Sequence, residues 1–444
     1  MTDVREQLAA LGPAERSALI HRLRELRAGT PQRASPPLRR RNLDVAPLAP
    51  VQERLWVLAQ IAPENGFYNV PIALRIRGNL APVALQVSID ALVRRHETLR
   101  TTFRTVNGAP MQVVTPDAPA LRCFDLSELP ESQRECALKR CVNEEANLPF
   151  DLATEPSFRA KLIRLANDDH ALLLTLHHLV ADDRSVAILH RDLAFLYADA
   201  IGSENAHPLP TLTIQYADVA AWQNEWLAEG EAAAQLAYWR SRLPRDLASA
   251  ELPSDRRRPA MRTYAGESWF EPLPSVLAER LTLLARHEGA TLFMALLAVF
   301  QTLLHRYSGS ARVVVGSPIG ARPTRETDEL IGCFVNMLAL DLDLSDDPPF
   351  REAMVRVRDA AAGGFANADI PFASLVDALE AGRDPSRHPI FQCLFDLHAD
   401  VRAAPYLPGL AVTSIWPDRL GAKFDLSLVM AQGDETFGGR WEYN

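Results

Sequence analysis

The chain is short of the residues on which secreted, redox and nucleotide-handling proteins depend. Five cysteines in 444 residues, Cys123, Cys136, Cys141, Cys333 and Cys393, are odd in number and form neither a CxxC pair nor a zinc-ligand spacing with histidines. That pattern argues against a disulfide framework and points to a reduced, cytoplasmic setting. Glycine is sparse too, at 21 residues. No GxxxxGK[ST] phosphate loop, GxGxxG turn or GxSxG elbow occurs, which argues against ATP use, nicotinamide binding and α/β-hydrolase chemistry. Long apolar runs are missing: the longest, ATLFMALLAVFQTLL at 290–304, is too short to span a bilayer and is broken by Thr291 and Gln301, so it reads as a buried helix. The N-terminus has no secretory apolar core, and no membrane partner is implied. Basic charge is also lacking, since 47 Lys and Arg face 56 Asp and Glu for a net charge of −9. Nucleic acid is therefore a poor candidate partner. The local exception, Arg39, Arg40 and Arg41 in RASPPLRRR, reads as a solvated basic linker.

What is present is ordinary globular material: 48% hydrophobic and 23% charged residues leave room for a large core and argue against wholesale disorder. Residues 1–30 carry Leu8, Leu11, Leu19, Ile20, Leu23 and Leu26 at roughly helical spacing, with Pro13 opening a second helix. This is a separate helical leader or docking segment. A linker follows at 31–45. The remainder alternates strands and helices in two stretches, 46–222 and 223–444. Strands are expected at 69–78, 171–176 and 311–317, helices at 84–97 and 290–304, and a helical bridge at 215–243. The fold class is α/β.

The chemistry concentrates in ALLLTLHHLVADDRS, residues 171–185. A Leu-rich buried strand ends in two adjacent histidines, His177 and His178. Side chains alternate along a strand, so one histidine is expected to reach a cleft and the other to be structural. Asp182, four residues on, is spaced to turn back and orient or anchor the histidine loop. A lone histidine base without a metal cluster or nucleotide site requires a substrate that arrives already activated. Acyl transfer from a thioester is the natural candidate.

The string HHLVADD resembles the HHxxxDG signature of nonribosomal peptide synthetase condensation domains, which is shared with acyltransferases of the chloramphenicol acetyltransferase type. Six further strings resemble the same family in the right order: APVQERLWVL (49–58), RRHETLRTTF (94–103), YADVAAW (216–222), IGCFVNMLAL (331–340), DIPFASLV (369–376) and RDPSRHPIFQ (383–392). The resemblance implies two chloramphenicol acetyltransferase-like lobes in a V-shaped pseudo-dimer, with His178 as the catalytic residue in a tunnel open at both ends. It implies that His177 and Asp182 are structural, with Asp182 paired to Arg322. Asn336 falls at the lobe interface, Phe334 falls there or, as the favoured reading, packs in the core, and Arg54 and Trp56 fix the first lobe near the tunnel mainly by packing.

The resemblance further implies an amide bond formed between a thioester-bound acyl donor and the α-amine of an aminoacyl group on a peptidyl carrier protein. No cofactor is expected to be resident. Phosphopantetheine of the partner carrier, and coenzyme A, would enter as substrates. The donor is an acyl-CoA or an acyl carrier protein, and an adenylation domain is the expected neighbour. Where the family has Gly after Asp182 this chain has Asp183, followed by Arg184 at a position that is often aromatic. Asn367, Ala373 and Met337 depart from the family pattern more mildly. Arg184 is expected to fill part of the donor channel and restrict the acyl group to a short one, which favours a starter role, N-acylating the first amino acid. The alternatives are an elongating domain fed in trans through N-terminal docking, a free-standing ester- or amide-forming acyltransferase, and a non-catalytic recruitment domain whose chemistry Asp183 disables. The chain closes at GGRWEYN, where the family continues, so an excised domain is expected.

Overall fold

The computed structural model describes residues 38–116, 119–203, 208–230, 232–243, 251–380, 384–399, 404–418, 421–432 and 437–444. The expected leader at 1–30 lies outside the described residues. The first half runs β1 (Val45–Pro47), α1 (Pro50–Ile61), β2 (Asn69–Arg77), α2 (Pro82–Arg95), β3 (Thr101–Val106), β4 (Ala109–Val114), β5 (Leu121–Asp125), α3 (Glu131–Asn147), β6 (Phe158–Ala166), β7 (Asp169–His177) and α4 (Asp183–Ala200). Then come α5 (Tyr216–Ala228) and α6 (Ala232–Arg242). The second half runs β8 (Glu267–Leu273), α7 (Ser275–His287), α8 (Leu292–Ser308), β9 (Arg312–Gly320), β10 (Val335–Asp343), α9 (Phe350–Ala366), α10 (Phe372–Ala378), β11 (Cys393–Ala399), β12 (Ala411–Ile415), β13 (Leu426–Gln432) and β14 (Phe437–Tyr443).

Two large sheets organise these elements, in the strand orders β12-β2-β7-β6-β5 and β10-β9-β11-β13-β14-β8, with β1-β4-β3 as a small third sheet. β7 is central because both its faces are apolar. Leu172, Leu174 and Leu176 point into the main core of the first lobe with α2 and α4, while Ala171 and Leu173 point into a second cluster with Leu138 and Val142 of α3. Burying a leucine side chain contributes about 1.5–3 kcal/mol, so this strand is held firmly up to its last residue. The histidines that follow are delivered to a fixed point.

The flanking motifs fasten elements to one another. Arg95 and His96 both contact Asp192 of α4 at 2.9 Å. Gln215 at the start of α5 accepts from the Glu97 N–H and donates to the Arg95 carbonyl. The second core is built around α8, whose N-terminus is capped by Thr291 and whose end is closed by Gly309 at φ 69°.

The described residues add detail to three expectations. The described part of the 31–45 linker is partly solvent-exposed but tied down: Arg40 bonds Glu97 at 2.7 Å and Asp218 at 3.1 Å, and the Arg41 guanidinium grips Glu225 at 2.5 and 2.7 Å. Acidic partners on α5 and the turn before β3 convert a basic run into a strap. The bridge at 215–243 is two helices, α5 and α6, parted by Gly230 at φ 80°. The boundary at 222/223 is crossed as well. β12, from the second half, pairs antiparallel with β2 from Ala411 opposite Arg77 to Ile415 opposite Ala73. Ile331, Cys333 and Leu407 also complete the first core, and α10 packs on α1. No single helix among the described residues is long and apolar enough to cross a membrane.

Candidate active site

β7 ends at His177, and the two histidines part there. The His177 N–H donates to the Ser157 carbonyl at 3.0 Å, and its ring turns inward, where Nδ1 accepts from the Leu179 N–H at 3.1 Å. Phe150 meets that ring edge-on at 6.1 Å between centroids. Burial, with the adjacent His178 second, lowers His177 to about 3, so this imidazole stays neutral.

The His178 N–H instead donates to the Tyr68 carbonyl at 2.7 Å, beyond the strand ladder, and its ring faces a cavity of about 980 Å³. Both halves of the chain line this cavity: Tyr68 and Asp183 from the first, Cys333, Asn336, Asp396 and Lys423 from the second. Burial and then the Lys423 ammonium hold His178 below the ordinary histidine value, against the opposite pull of Asp183, its own backbone carbonyl and Asp182. A neutral ring at neutral pH is a competent proton acceptor. The Cys333 sulfur lies 3.8 Å from His178 Nδ1. Burial pushes the Cys333 thiol up to about 12, so the sulfur stays uncharged; in the tautomer with the proton on Nδ1 that N–H faces the sulfur, and Nε2 is the candidate base.

Asp182 does not turn back to orient either histidine. Its Oδ1 accepts from the Ser185 N–H and O–H, both at 2.7 Å, which caps α4, and its Oδ2 accepts from the Phe334 N–H at 3.2 Å. Arg322 Nη2 donates to both carboxylate oxygens at 3.1 and 3.3 Å. The guanidinium also donates to the carbonyls of Thr327 and Leu330 and lies 4.1 Å over the Phe334 ring. Asp182 therefore ties the start of α4 to the segment carrying Cys333. Gly332 lets that segment approach: a Cβ there would sit 2.0 Å from the Tyr216 ring, whose hydroxyl donates to the Cys333 carbonyl at 2.5 Å.

Asn336 lines the cavity, but its amide is committed to the turn before α10. Nδ2 donates to the carbonyls of Ala368 and Ile370 at 2.7 and 2.6 Å, and Oδ1 accepts from the Phe372 N–H at 3.0 Å. Arg54 donates to His388 Nε2 at 2.9 Å and lies 5.1 Å over the Phe372 ring. Trp56 packs half-buried on the first core.

The two residues after Asp182 diverge. A helix turns about 100° per residue, so with Asp183 on the cavity side Arg184 is carried away from it. Arg184 is exposed and is not among the cavity-lining residues, which corrects its placement in the donor channel. Asp183 instead meets His398, whose Nδ1 is 3.5 Å from Oδ2, and His398 Nε2 is 2.7 Å from Asp396 Oδ2. Sequence reasoning misses Tyr68, Cys333, Asp396, His398 and Lys423 as members of the site. The signals that could have found them are the string IGCFVNMLAL, which contains Cys333, and the alternation Asp396-x-His398, which places both side chains on one face of a strand. Among the described residues no group of three or more His, Cys, Asp or Glu side chains is placed to hold a metal ion.

A family model described as "Condensation domain" matches residues 42–444. The chain is 40% identical over 401 residues to a linear gramicidin synthase of Brevibacillus parabrevis, covering 90% of this chain and 5% of that protein. It is 39% identical over 450 residues to the phosphinothricin tripeptide synthetase PhsC of Streptomyces viridochromogenes, covering 100% of this chain and 41% of that protein. The chain thus spans a small part of the curated relatives it matches. The X-domain from teicoplanin biosynthesis superposes with a TM-score of 0.82 at 27% identity, covering 92% of each chain.

Proposed function

We propose, from the premise that this chain belongs to the condensation-domain family, that it joins a thioester-bound acyl donor to the α-amine of an aminoacyl group held on a carrier protein. The two chloramphenicol acetyltransferase-like lobes supply one inner wall each to the cavity, and the neutral imidazole of His178 faces the space between them. That placement carries the reading.

The amine nitrogen attacks the thioester carbonyl carbon, so a C–N bond forms and the C–S bond breaks. The proton lost by nitrogen passes to His178 Nε2 and is returned to the departing thiolate, which leaves as the thiol of the donor's arm. A free α-amine has a pKa of about 7.7–8.0, so proton removal as attack proceeds is useful at neutral pH. Positioning the amine against the carbonyl adds to this, on the order of 7–11 kcal/mol when alignment is good. Phosphopantetheine arms enter as substrates, and an adenylation domain and a peptidyl carrier are the partners this reading requires.

The donor is best read as a peptidyl or aminoacyl thioester from an upstream carrier. A short-acyl starter role rests on Arg184 filling the donor channel, and Arg184 is exposed. The test loads one carrier protein with a donor acyl group and a second with an amino acid, adds the chain, and reads the second carrier by mass spectrometry. The acceptor carrier should gain the donor's mass, and the His178→Ala variant should not produce that gain. Equal transfer by the variant would overturn the assignment, and transfer from acyl-CoA but from no acyl carrier would restore the starter reading.

A further inference from the structure

We propose that Arg54 and Arg262 form a carboxylate-reading clamp in the cavity, so that one of the two groups to be joined, donor or acceptor, carries an acidic side chain. This rests on the proposed amide-forming function and deepens it by naming the substrate class. Arg54 comes from α1 of the first lobe and Arg262 from the segment before β8 in the second, and both line the cavity that His178 faces. Each is held in place. Arg54 donates to His388 Nε2 at 2.9 Å and lies 5.1 Å over the Phe372 ring. The Arg262 N–H donates to the Pro385 carbonyl at 3.1 Å, and its guanidinium lies 5.0 Å over the Tyr264 ring, whose hydroxyl accepts from Nη2 at 3.3 Å.

Neither guanidinium has an acidic partner among the described residues. A guanidinium offers five N–H donors. Those of Arg54 meet the His388 ring and those of Arg262 meet the Tyr264 hydroxyl, with no carboxylate in either set. His388 brings no negative charge: burial, then Arg54 and Arg262, hold it well below the ordinary histidine value, so its ring is neutral. The carboxylates on the cavity wall, Asp183, Asp369, Asp396 and Glu442, form no ion pair with either arginine. Arg322, on the same wall, is by contrast matched by Asp182. Burial lowers Arg54 below the ordinary arginine value and the Arg262 charge adds to this, against the opposite pull of Tyr68 and Tyr264. Two like charges thus face one space, and a single anion between them relieves both.

Location identifies the anion. The Tyr68 carbonyl takes the His178 N–H at 2.7 Å, and the Tyr68 side chain is close enough to feel both arginines. An anion held there is within side-chain reach of the reacting carbonyl, whereas the phosphate of a phosphopantetheine arm sits at the far end of the arm from its thioester. A carboxylate suits the pair, since guanidinium N–H groups grip it bidentately at about 2.7–2.9 Å. The clamp selects and aligns, and it takes no part in the proton transfer at His178.

The test measures equilibrium binding and initial rates with matched N-acetylcysteamine thioesters that differ only as acid against amide. The acceptor pair is glutamyl and glutaminyl, and the donor pair is N-acetylglutamyl and N-acetylglutaminyl, which have no free amine. In the intact chain the acid member of one pair should bind roughly tenfold tighter than its amide, and the pair that shows this identifies which substrate carries the carboxylate. Arg262→Gln should bring that ratio close to one. Arg54→Gln should do the same, and because Arg54 is also stacked in the wall, the Arg262 variant decides where the other fails to fold. No acid preference in either pair, or a preference that survives Arg262→Gln, would overturn the proposal. An advantage of free phosphopantetheine over pantetheine that Arg262→Gln removes would give the two arginines to the arm instead and overturn it too. Binding is read apart from turnover, so acid-selective binding in a chain that makes no amide would support the clamp while sinking the proposed function, and amide formation without acid preference would do the reverse.

Discussion

His177 and His178 are consecutive residues with identical side chains, yet they occupy opposite kinds of surroundings. His177 is the last residue of β7, still inside the ladder, and its ring is packed against Phe150 with Nδ1 satisfied by a backbone N–H. His178 lies one residue past the ladder and faces a cavity shared by both halves of the chain. Asp182 and Asp183 repeat the contrast: the first is sealed and matched by Arg322, the second is half-open and reaches across to His398. The lesson is that the signature alternates structural and chemical duties residue by residue. The end of a strand and the start of a helix separate them.

The largest effect that tests this contrast is on the cavity side. His178→Ala should lower amide formation by roughly 100- to 10,000-fold while leaving the far-UV circular dichroism unchanged. A variant that loses both together would erase the distinction between the two histidines. On the sealed side, Arg322→Ala leaves Asp182 buried and unmatched, and the expected loss is about 3–5 kcal/mol in urea unfolding. A loss under about 1 kcal/mol would show that Asp182 is not held by that pair.

The third test uses pH. His177 titrates near 3 in the folded chain and at its ordinary 6.5 when unfolded. The unfolded chain therefore binds the extra proton over that interval, so stability is full above about 6.5 and falls as pH drops toward 3, by up to about 1.4 kcal/mol per pH unit. Unfolding midpoints collected across the interval should show a shallower slope in His177→Gln, and an unaltered slope would contradict its neutral burial. Next in size, Asn336→Ala should cost about 1–3 kcal/mol, because it orphans the carbonyls of Ala368 and Ile370. Stability unaffected by that change would mean the turn before α10 holds without its clamp. Smallest of all, Arg184→Ala should stay within about 0.5 kcal/mol and leave donor chain-length preference as it was. A broadened preference would return Arg184 to the channel.

Much of this contrast is legible along the chain. The Leu run of β7, the helices at 84–97 and 290–304, and the division of labour between adjacent histidines follow from periodicity, because neighbours in sequence decide them. The partners of the site do not. Cys333, Asp396, His398 and Lys423 lie more than 150 positions beyond His178, and only the packing of sheets from both halves brings them there. Arg184 departs from expectation for the opposite reason. It is near the site in sequence but not in space, because a single helical step turns it to solvent. Arg40 and Arg41 read as solvated in the sequence because their acidic partners on α5 are remote in the chain.

β12 leaves the second half to become the outermost strand of the first sheet, and this bears on how the molecule can be handled. A fragment ending near Trp222 would present β2 with its hydrogen-bonding groups bare, an invitation to edge-to-edge clumping. The two halves are thus better recombined as a whole cassette than traded separately.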